Sequence, residues 1–204
     1  PEPDDDTLRR GVAMGADRAV YLSGDNFEDA DESVVARALE AVVGELGDVD
    51  LVISGATTLD TNQGQLALRL AEALGWPQVT GAWSVEVGDG RLEAVCRDGD
   101  TYMRFGVDLP AVVTVPAGVL KPRYPDGVRL IDVYRRDKQM AEAVEQWDVT
   151  DLLAVNERVS LLEDRGRDFP PERERGTRVE GTPEEAAEAL AEVLRERLRG
   201  VGRD

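Results

Sequence analysis

The sequence predicts an α/β fold: a parallel sheet with helices on both faces in three layers, an antiparallel hairpin excursion, and a C-terminal arm plus helix. Three observations carry this prediction. Short apolar runs alternate with amphipathic helical stretches up to about residue 75, the pattern that right-handed crossovers and a parallel sheet require. From Thr80 the hydrophobic period shortens to two, and the Asp-Gly pairs at 89–90 and 98–99 mark tight hairpins. Beyond residue 147 apolar residues thin out until a final amphipathic helix.

The elements follow in order. Asp4, Asp5 and Asp6 with Thr7 open a short helix whose apolar face is Leu8, Val12 and Ala13, ending before Gly15. Ala19 to Leu22 reads as a strand. A second helix spans about Asp31 to Leu46, with Val34, Val35, Ala38, Leu39, Val42, Val43 and Leu46 in one stripe and Gly47 ending it. Val49 to Ser54 is a short apolar strand, and Leu66, Leu70, Ala73 and Leu74 then recur at helical spacing. Trp83, Val85 and Val87 alternate, as do Leu92 to Cys96, and Tyr102 to Val107 completes the excursion. Pro110 to Val115 is a continuous apolar run that returns to the main sheet. Lys121-Pro122-Arg123-Tyr124-Pro125 is a rigid surface segment, Leu130 to Tyr134 a short strand, and Arg136 to Trp147 a helix. Residues 148–181 form a polar arm. Thr182-Pro183-Glu184-Glu185 then places a capping box, with Pro at the first helical position, before a helix carrying Leu190, Leu194 and Leu198. Two regions result: an α/β domain over 1–147, whose nucleotide-binding role rests on the loop at 54–65, and an arm with its terminal helix over 148–204.

The most informative stretch is Ser54-Gly55-Ala56-Thr57-Thr58-Leu59-Asp60-Thr61-Asn62-Gln63-Gly64-Gln65, a strand end, a loop of small residues and a helix start. It lies at the carboxyl end of a strand, where open α/β sheets bind ligands. Backbone N–H groups of a first helical turn lack intrahelical partners and carry partial positive charge, so an anion fits there. The same residues support a second reading, in which Thr58, Asp60 or Asn62 caps the helix and nothing binds.

Composition narrows the function. The 204 residues are 42% hydrophobic, enough for a real core, and the net charge of −18 argues against nucleic acid or an anionic membrane as partner. Lys121 and Lys138 are the only lysines among the 24 bases. Dense carboxylates with few lysines describe a surface suited to very high salt, where self-repulsion is screened. With no histidine, Ser-His and Cys-His catalysis and His-ligated metals are excluded, and the single Cys96 permits no internal disulfide. Cys96 sits in a strand pattern as a half-buried structural thiol, consistent with a reducing cytoplasm. No apolar run approaches the roughly 20 residues of a membrane span.

Four segments in order resemble the beta subunit of electron transfer flavoprotein. They are Leu8 to Arg18, then Gly55 with Asp60, Gly64-Gln65 and Leu70-Ala71-Glu72 through Leu74-Gly75-Trp76-Pro77-Gln78, then Leu109 to Val115, and Pro122 to Pro125. The resemblance implies a Rossmann-like, adenine-nucleotide-binding sheet in an electron carrier that is not itself an enzyme. It implies a heterodimer with an alpha subunit, FAD shared between the two, and an AMP surrounded by Gly55, Asp60, Gly64 and Gln65, with Thr58, Thr61 and Asn62 adding contacts. It places Arg123 near the flavin and subunit boundary, a position where a surface ion pair is the alternative role. Tyr124, Pro125, Gly127 and Val128 fall in the docking surface. Electrons would come from acyl-CoA-type dehydrogenases, as in fatty acid oxidation, and pass towards a membrane quinone oxidoreductase.

This sequence departs from the family pattern in three places. It starts at Pro1, where family members have already placed a strand, a helix and a second strand, so part of the nucleotide-binding half is expected to be missing. Pro125-Asp126-Gly127-Val128 replaces a Leu-Pro-containing recognition loop. Asp60-Thr61-Asn62-Gln63-Gly64-Gln65 differs from the run common in some branches, and in flavin-bifurcating members a second FAD takes the AMP position. Two other readings compete: a stand-alone adenine-nucleotide-binding regulator resembling universal stress proteins, and a carboxylate enzyme built on Asp98 and Asp100, which a hairpin turn explains better.

Overall fold

The computed structural model describes residues 5–25, 27, 30–59, 62–135, 143–163, 166, 168–169, 176 and 178–199. The chain divides into a unit Pro1–Glu163 and a unit Asp164–Asp204.

In the first unit, helix α1 (Asp5–Ala13) buries Val12 and Ala13 and leads into strand β1 (Ala19–Ser23). Helix α2 (Glu32–Leu46) is closed at its start by the Asp31 carboxylate and at its end by Gly47, whose φ of 79° lies in the left-handed region that glycine adopts without strain. Strand β2 (Leu51–Gly55) follows, then helix α3 (Leu66–Leu74) and the two-residue strand β3 (Gln78–Val79). The antiparallel excursion is β4 (Ala82–Gly88), β5 (Arg91–Asp98) and β6 (Thr101–Asp108), in that spatial order. Asp89 and Gly90 have φ of 51° and 73°, the signature of a type I′ hairpin turn. Strand β7 (Ala111–Val115) returns to the parallel sheet, between β2 and β3 and parallel to both.

The α/β class read from the sequence holds, and its parallel strands form two sheets, β2–β7–β3 and a pair made by β1 with β8 (Val144–Asp148). Neighbouring residues of β7 serve opposite faces, as strand geometry requires. Val112 packs with Ala67 and Ala71 of α3, while Val113 packs with Leu92, Ala94 and Cys96 of the antiparallel sheet. The hairpin excursion is therefore a layer of the core, and Cys96 is buried there.

Two local expectations are corrected. The segment read as a strand over Leu130 to Tyr134 belongs to helix α4 (Gly127–Tyr134). Asp126 opens it by accepting from Val128 N at 3.0 Å and Arg129 N at 2.9 Å, and Leu130 and Val133 turn inward at helical spacing. The helix read over Arg136 to Trp147 ends instead in strand β8. Residues 136–142 of that segment lie outside the described residues. Pairing with β1 decides the conformation of β8, and Arg18 fixes its register by donating to both Glu145 carboxylate oxygens at 2.8 and 3.0 Å.

Residues 149–163 also belong to the first unit. Helix α5 (Val149–Leu152) buries Val149, which clusters with Leu153 and with Ala38 of α2, and a 3-10 turn (Val155–Arg158) follows. In the second unit, helix α6 (Pro183–Arg199) carries the predicted capping box. Thr182 N donates to Glu185 Oε2 at 2.8 Å, and Glu185 N donates to Thr182 Oγ1 at 3.4 Å.

Candidate functional site

The loop after β2 is closed on itself. Thr58 N donates to Gln63 O at 2.8 Å, Gln63 N donates to Thr58 Oγ1 at 3.1 Å, and Asn62 N donates to Thr58 O at 3.1 Å. Asn62 holds a left-handed φ of 54°, which asparagine tolerates better than most residues. Gly64 is required on steric grounds, because a Cβ there would stand 2.9 Å from the Ala56 carbonyl oxygen. Gly55 is under no such constraint, its nearest atom being Thr57 O at 3.7 Å. With its amide NH2 turned towards α2, Gln63 donates to the Glu32 carboxylate and ties the loop to the neighbouring helix.

Where α3 begins, the N-cap is Gln65, with helical φ and ψ and no side-chain hydrogen bond to the first turn. The capping role weighed for Thr58 and Asn62 is therefore not realised, since both are engaged within the loop. Asp60 and Thr61 lie outside the described residues. Among the described residues no side chain caps the N–H groups of the first turn of α3, which stands at the end of a loop of small residues. That donor set fits a phosphate group of a nucleotide.

A family model described as the electron transfer flavoprotein domain matches residues 1–152. The chain belongs to the electron transfer flavoprotein family. An electron transfer flavoprotein subunit beta from Syntrophomonas wolfei is 30% identical over 195 residues, which are 95% of this chain and 71% of that protein. The corresponding subunit of Bacillus subtilis is 29% identical over 195 residues, 95% of this chain and 74% of that protein. An acryloyl-CoA reductase electron transfer subunit gamma from Anaerotignum propionicum is 28% identical over 201 residues, 95% of this chain and 74% of that protein.

In this member of the electron transfer flavoprotein family, the residues singled out from the sequence form two groups. Gly55 ends β2, and Thr58, Asn62, Gly64 and Gln65 lie on the loop from there into α3. Arg123, Tyr124, Pro125, Gly127 and Val128 lie on the segment from β7 into α4, which is held against the end of α1. Asp126 N donates to Ala13 O at 3.2 Å, and Arg129 Nη2 donates to Val12 O at 3.1 Å and to Ala16 O at 3.4 Å. Asp126 N thereby pairs the Ala13 carbonyl at the end of α1, while the Val12 carbonyl, which also accepts from Gly15 N at 3.1 Å, takes Arg129 as a second donor. The Arg123 guanidinium comes within 3.6 Å of where a Cβ would stand on Gly15. Tyr124 and Val128 are exposed, as are Leu120 and Ile131, which sequence reasoning did not single out. Val128 and Ile131 are three residues apart on α4, a spacing visible only once the segment is known to be helical.

Sequence reasoning also missed the hub at Asp31. One carboxylate oxygen accepts from Ser33 N at 3.0 Å, Val34 N at 3.1 Å and Ser33 Oγ at 2.5 Å. The other accepts from Leu161 N at 2.5 Å and Leu162 N at 2.9 Å. Burial alone would raise this carboxyl, but the bonds from Ser33, Leu162, Val34 and Leu161 outweigh it and bring its pKa down to about 2. The N-cap was legible as an Asp before a helical stripe, whereas the tie to residues 161–162 spans the chain and has no local signal.

Burial pushes the Cys96 thiol up, away from the reactive thiolate, which supports a structural role. Among the described residues no cluster of carboxylates and thiols forms a metal site, and no helix is long and apolar enough to cross a membrane.

Proposed function

We propose that this chain is the beta-type subunit of a heterodimeric electron transfer flavoprotein, an electron carrier without a catalytic site of its own. It would pair with an alpha subunit, help to hold FAD, and bind AMP at the Gly55–Gln65 loop; in a bifurcating arrangement a second FAD would take the AMP position. The observation that carries this reading is the first turn of α3, which no side chain among the described residues caps, at the end of the glycine-containing loop in a chain of this family. When bound, FAD supplies the electron-transfer chemistry, and this chain's own residues bind and orient. Gly64 permits the loop to close, Thr58 and Gln63 hold it closed, and the α3 amides meet phosphate oxygens. Asp60, Thr61 and Asn62 belong to the same proposed cradle.

Tyr124, Pro125, Gly127 and Val128 form the proposed docking surface for acyl-CoA-type dehydrogenases and for a quinone oxidoreductase, with Arg123 near the subunit boundary. The reading places the protein in the cytoplasm and treats its acidic surface as an adaptation to high salt. A thermal unfolding midpoint that climbs steadily into molar salt is the expected sign of that adaptation; a flat or falling midpoint would count against it.

The deciding experiment is purification of the chain in high salt with whatever binds it, followed by identification of released nucleotides by absorbance and mass. FAD with AMP and a larger second subunit supports the proposal, and two FADs per heterodimer would assign the bifurcating form. A colourless homodimer carrying ATP would overturn it.

A further inference from the structure

A groove of about 340 Å³ beside Cys96 and a broader one of about 520 Å³ between α2 and α3 are open in the first unit. The second contains an unusual pair of charges. Arg37 of α2 and Arg69 of α3 both line it, among the apolar side chains of Ala36, Leu68 and Leu161. Among the described residues each guanidinium makes one hydrogen bond, and each to a neutral acceptor: Arg37 Nη2 donates to Val159 O at 3.2 Å and Arg69 Nη2 to Gln65 Oε1 at 3.0 Å. The Nε of both is buried without an acceptor. Glu72 lines the same groove, yet among the described residues neither arginine forms an ion pair.

A chain with 42 acidic residues against 24 basic ones has carboxylates to spare. Two arginines left without one line the groove from the two packed helices, against the single carboxylate of Glu72 in its lining. Leu68 and Leu161 stay exposed at this place, so an occupant would gain both a charge partner and apolar contact. Arginine suits that role, since its planar fork binds carboxylates bidentately and sheds water more readily than lysine. We propose that the α2–α3 groove is a docking site for an acidic, leucine-bearing segment of a partner protein, whose carboxylate bridges Arg37 and Arg69 while its apolar side chains cover Leu68 and Leu161. Charge complementarity selects this occupant: a basic segment would face two uncompensated cations, and a purely apolar one would bury both without a counter-charge.

The test uses the full chain and three short fluorescent peptides of leucine alternating with glutamate, glutamine or lysine, followed by anisotropy. Roughly physiological salt is used, where fields beyond about 8 Å are screened and the overall negative charge does not mask a local site. The glutamate peptide is expected to bind about tenfold tighter than the glutamine one, with the lysine peptide weakest, and to shift the Arg37 and Arg69 Nε–H resonances. R37Q combined with R69Q is expected to erase the glutamate preference while leaving the glutamine peptide unchanged. R37K with R69K keeps the charge and is expected to retain part of the preference, which separates loss of the site from loss of the fold. Equal binding of glutamate and glutamine peptides, or a preference that survives the double glutamine variant, would overturn the proposal. Neither arginine belongs to the proposed nucleotide cradle, so that failure would leave the nucleotide reading standing.

Discussion

Helices α2 and α3 pack side by side, and their N-termini are finished in opposite ways. At α2 a single carboxylate, Asp31, accepts five hydrogen bonds and joins the helix start to residues 161–162. At α3 the corresponding position is Gln65, which caps nothing. Both ends carry the same unpaired N–H groups and the same dipole. Asp31 supplies the anion at one end, and under the proposed function an anion from outside completes the other. The sealed end is structural, and the open end is the candidate site.

Removing the seal should give the largest effect. Asp31→Ala loses the cap and frees Leu161 N and Leu162 N together, so a destabilisation of about 2 kcal/mol is expected in denaturant unfolding. Amide exchange at residues 161 and 162 should accelerate with it. If stability falls while those amides keep their protection, Asp31 caps α2 without anchoring the later segment.

The same carboxylate sets a pH dependence. Its folded pKa of about 2 lies below the ordinary 3.8, so the stability it adds is fully present above roughly pH 4 and is lost as pH falls towards 2. Partial exposure screens the effect, and about 1 kcal/mol is expected across that window. Asp31→Asn should flatten this part of the profile. An acid limb unchanged in the Asn variant would assign the loss to other carboxylates.

How much of this was legible in the sequence follows from how local each feature is. The α2 stripe, the Asp89-Gly90 turn and the alternation of β5 are fixed by residues near one another, and the structure keeps them. Helix α4 reads as a strand because Asp126-Gly127 resembles a turn, and because apolar Ile131 and Val133 flank polar Asp132 with a period of two. Strand β8 was misread because Val144, Glu145 and Gln146 suit a helix equally well, and only pairing with β1 decides. At the candidate site the strand-loop-helix was plain. What could not be read is that Thr58 closes the loop upon Gln63 rather than capping α3, and that Glu32 receives Gln63 from another helix.

Gly64 and Gly55 offer a matched pair within the open site. Gly64→Ala places a Cβ 2.9 Å from a backbone oxygen that cannot swing away, so the loop must open, costing about 1–2 kcal/mol and weakening AMP binding. Gly55→Ala meets only an ordinary contact at 3.7 Å and should change stability by less than about 0.5 kcal/mol. Unfolding curves and AMP titrations of both variants compare them directly. Equal effects would mean that glycine is needed at 55 for the ligand rather than for the loop.

The substitution that tests the comparison most directly should change stability only slightly. Gln65→Asp would give α3 the kind of carboxylate that α2 already has. Because residue 65 is held in helical rather than extended geometry, the gain should be only about 0.5 kcal/mol, below that of a well-placed cap. The effect on ligand should be larger and opposite in sign, since a carboxylate at that end competes with phosphate for the same N–H groups and repels it. A fall of about tenfold in AMP affinity is expected, measured by calorimetry beside the unchanged or slightly raised unfolding midpoint. If the variant binds AMP as well as the parent chain does, phosphate does not sit at the α3 N-terminus, and the open end of this helix must be explained by packing alone.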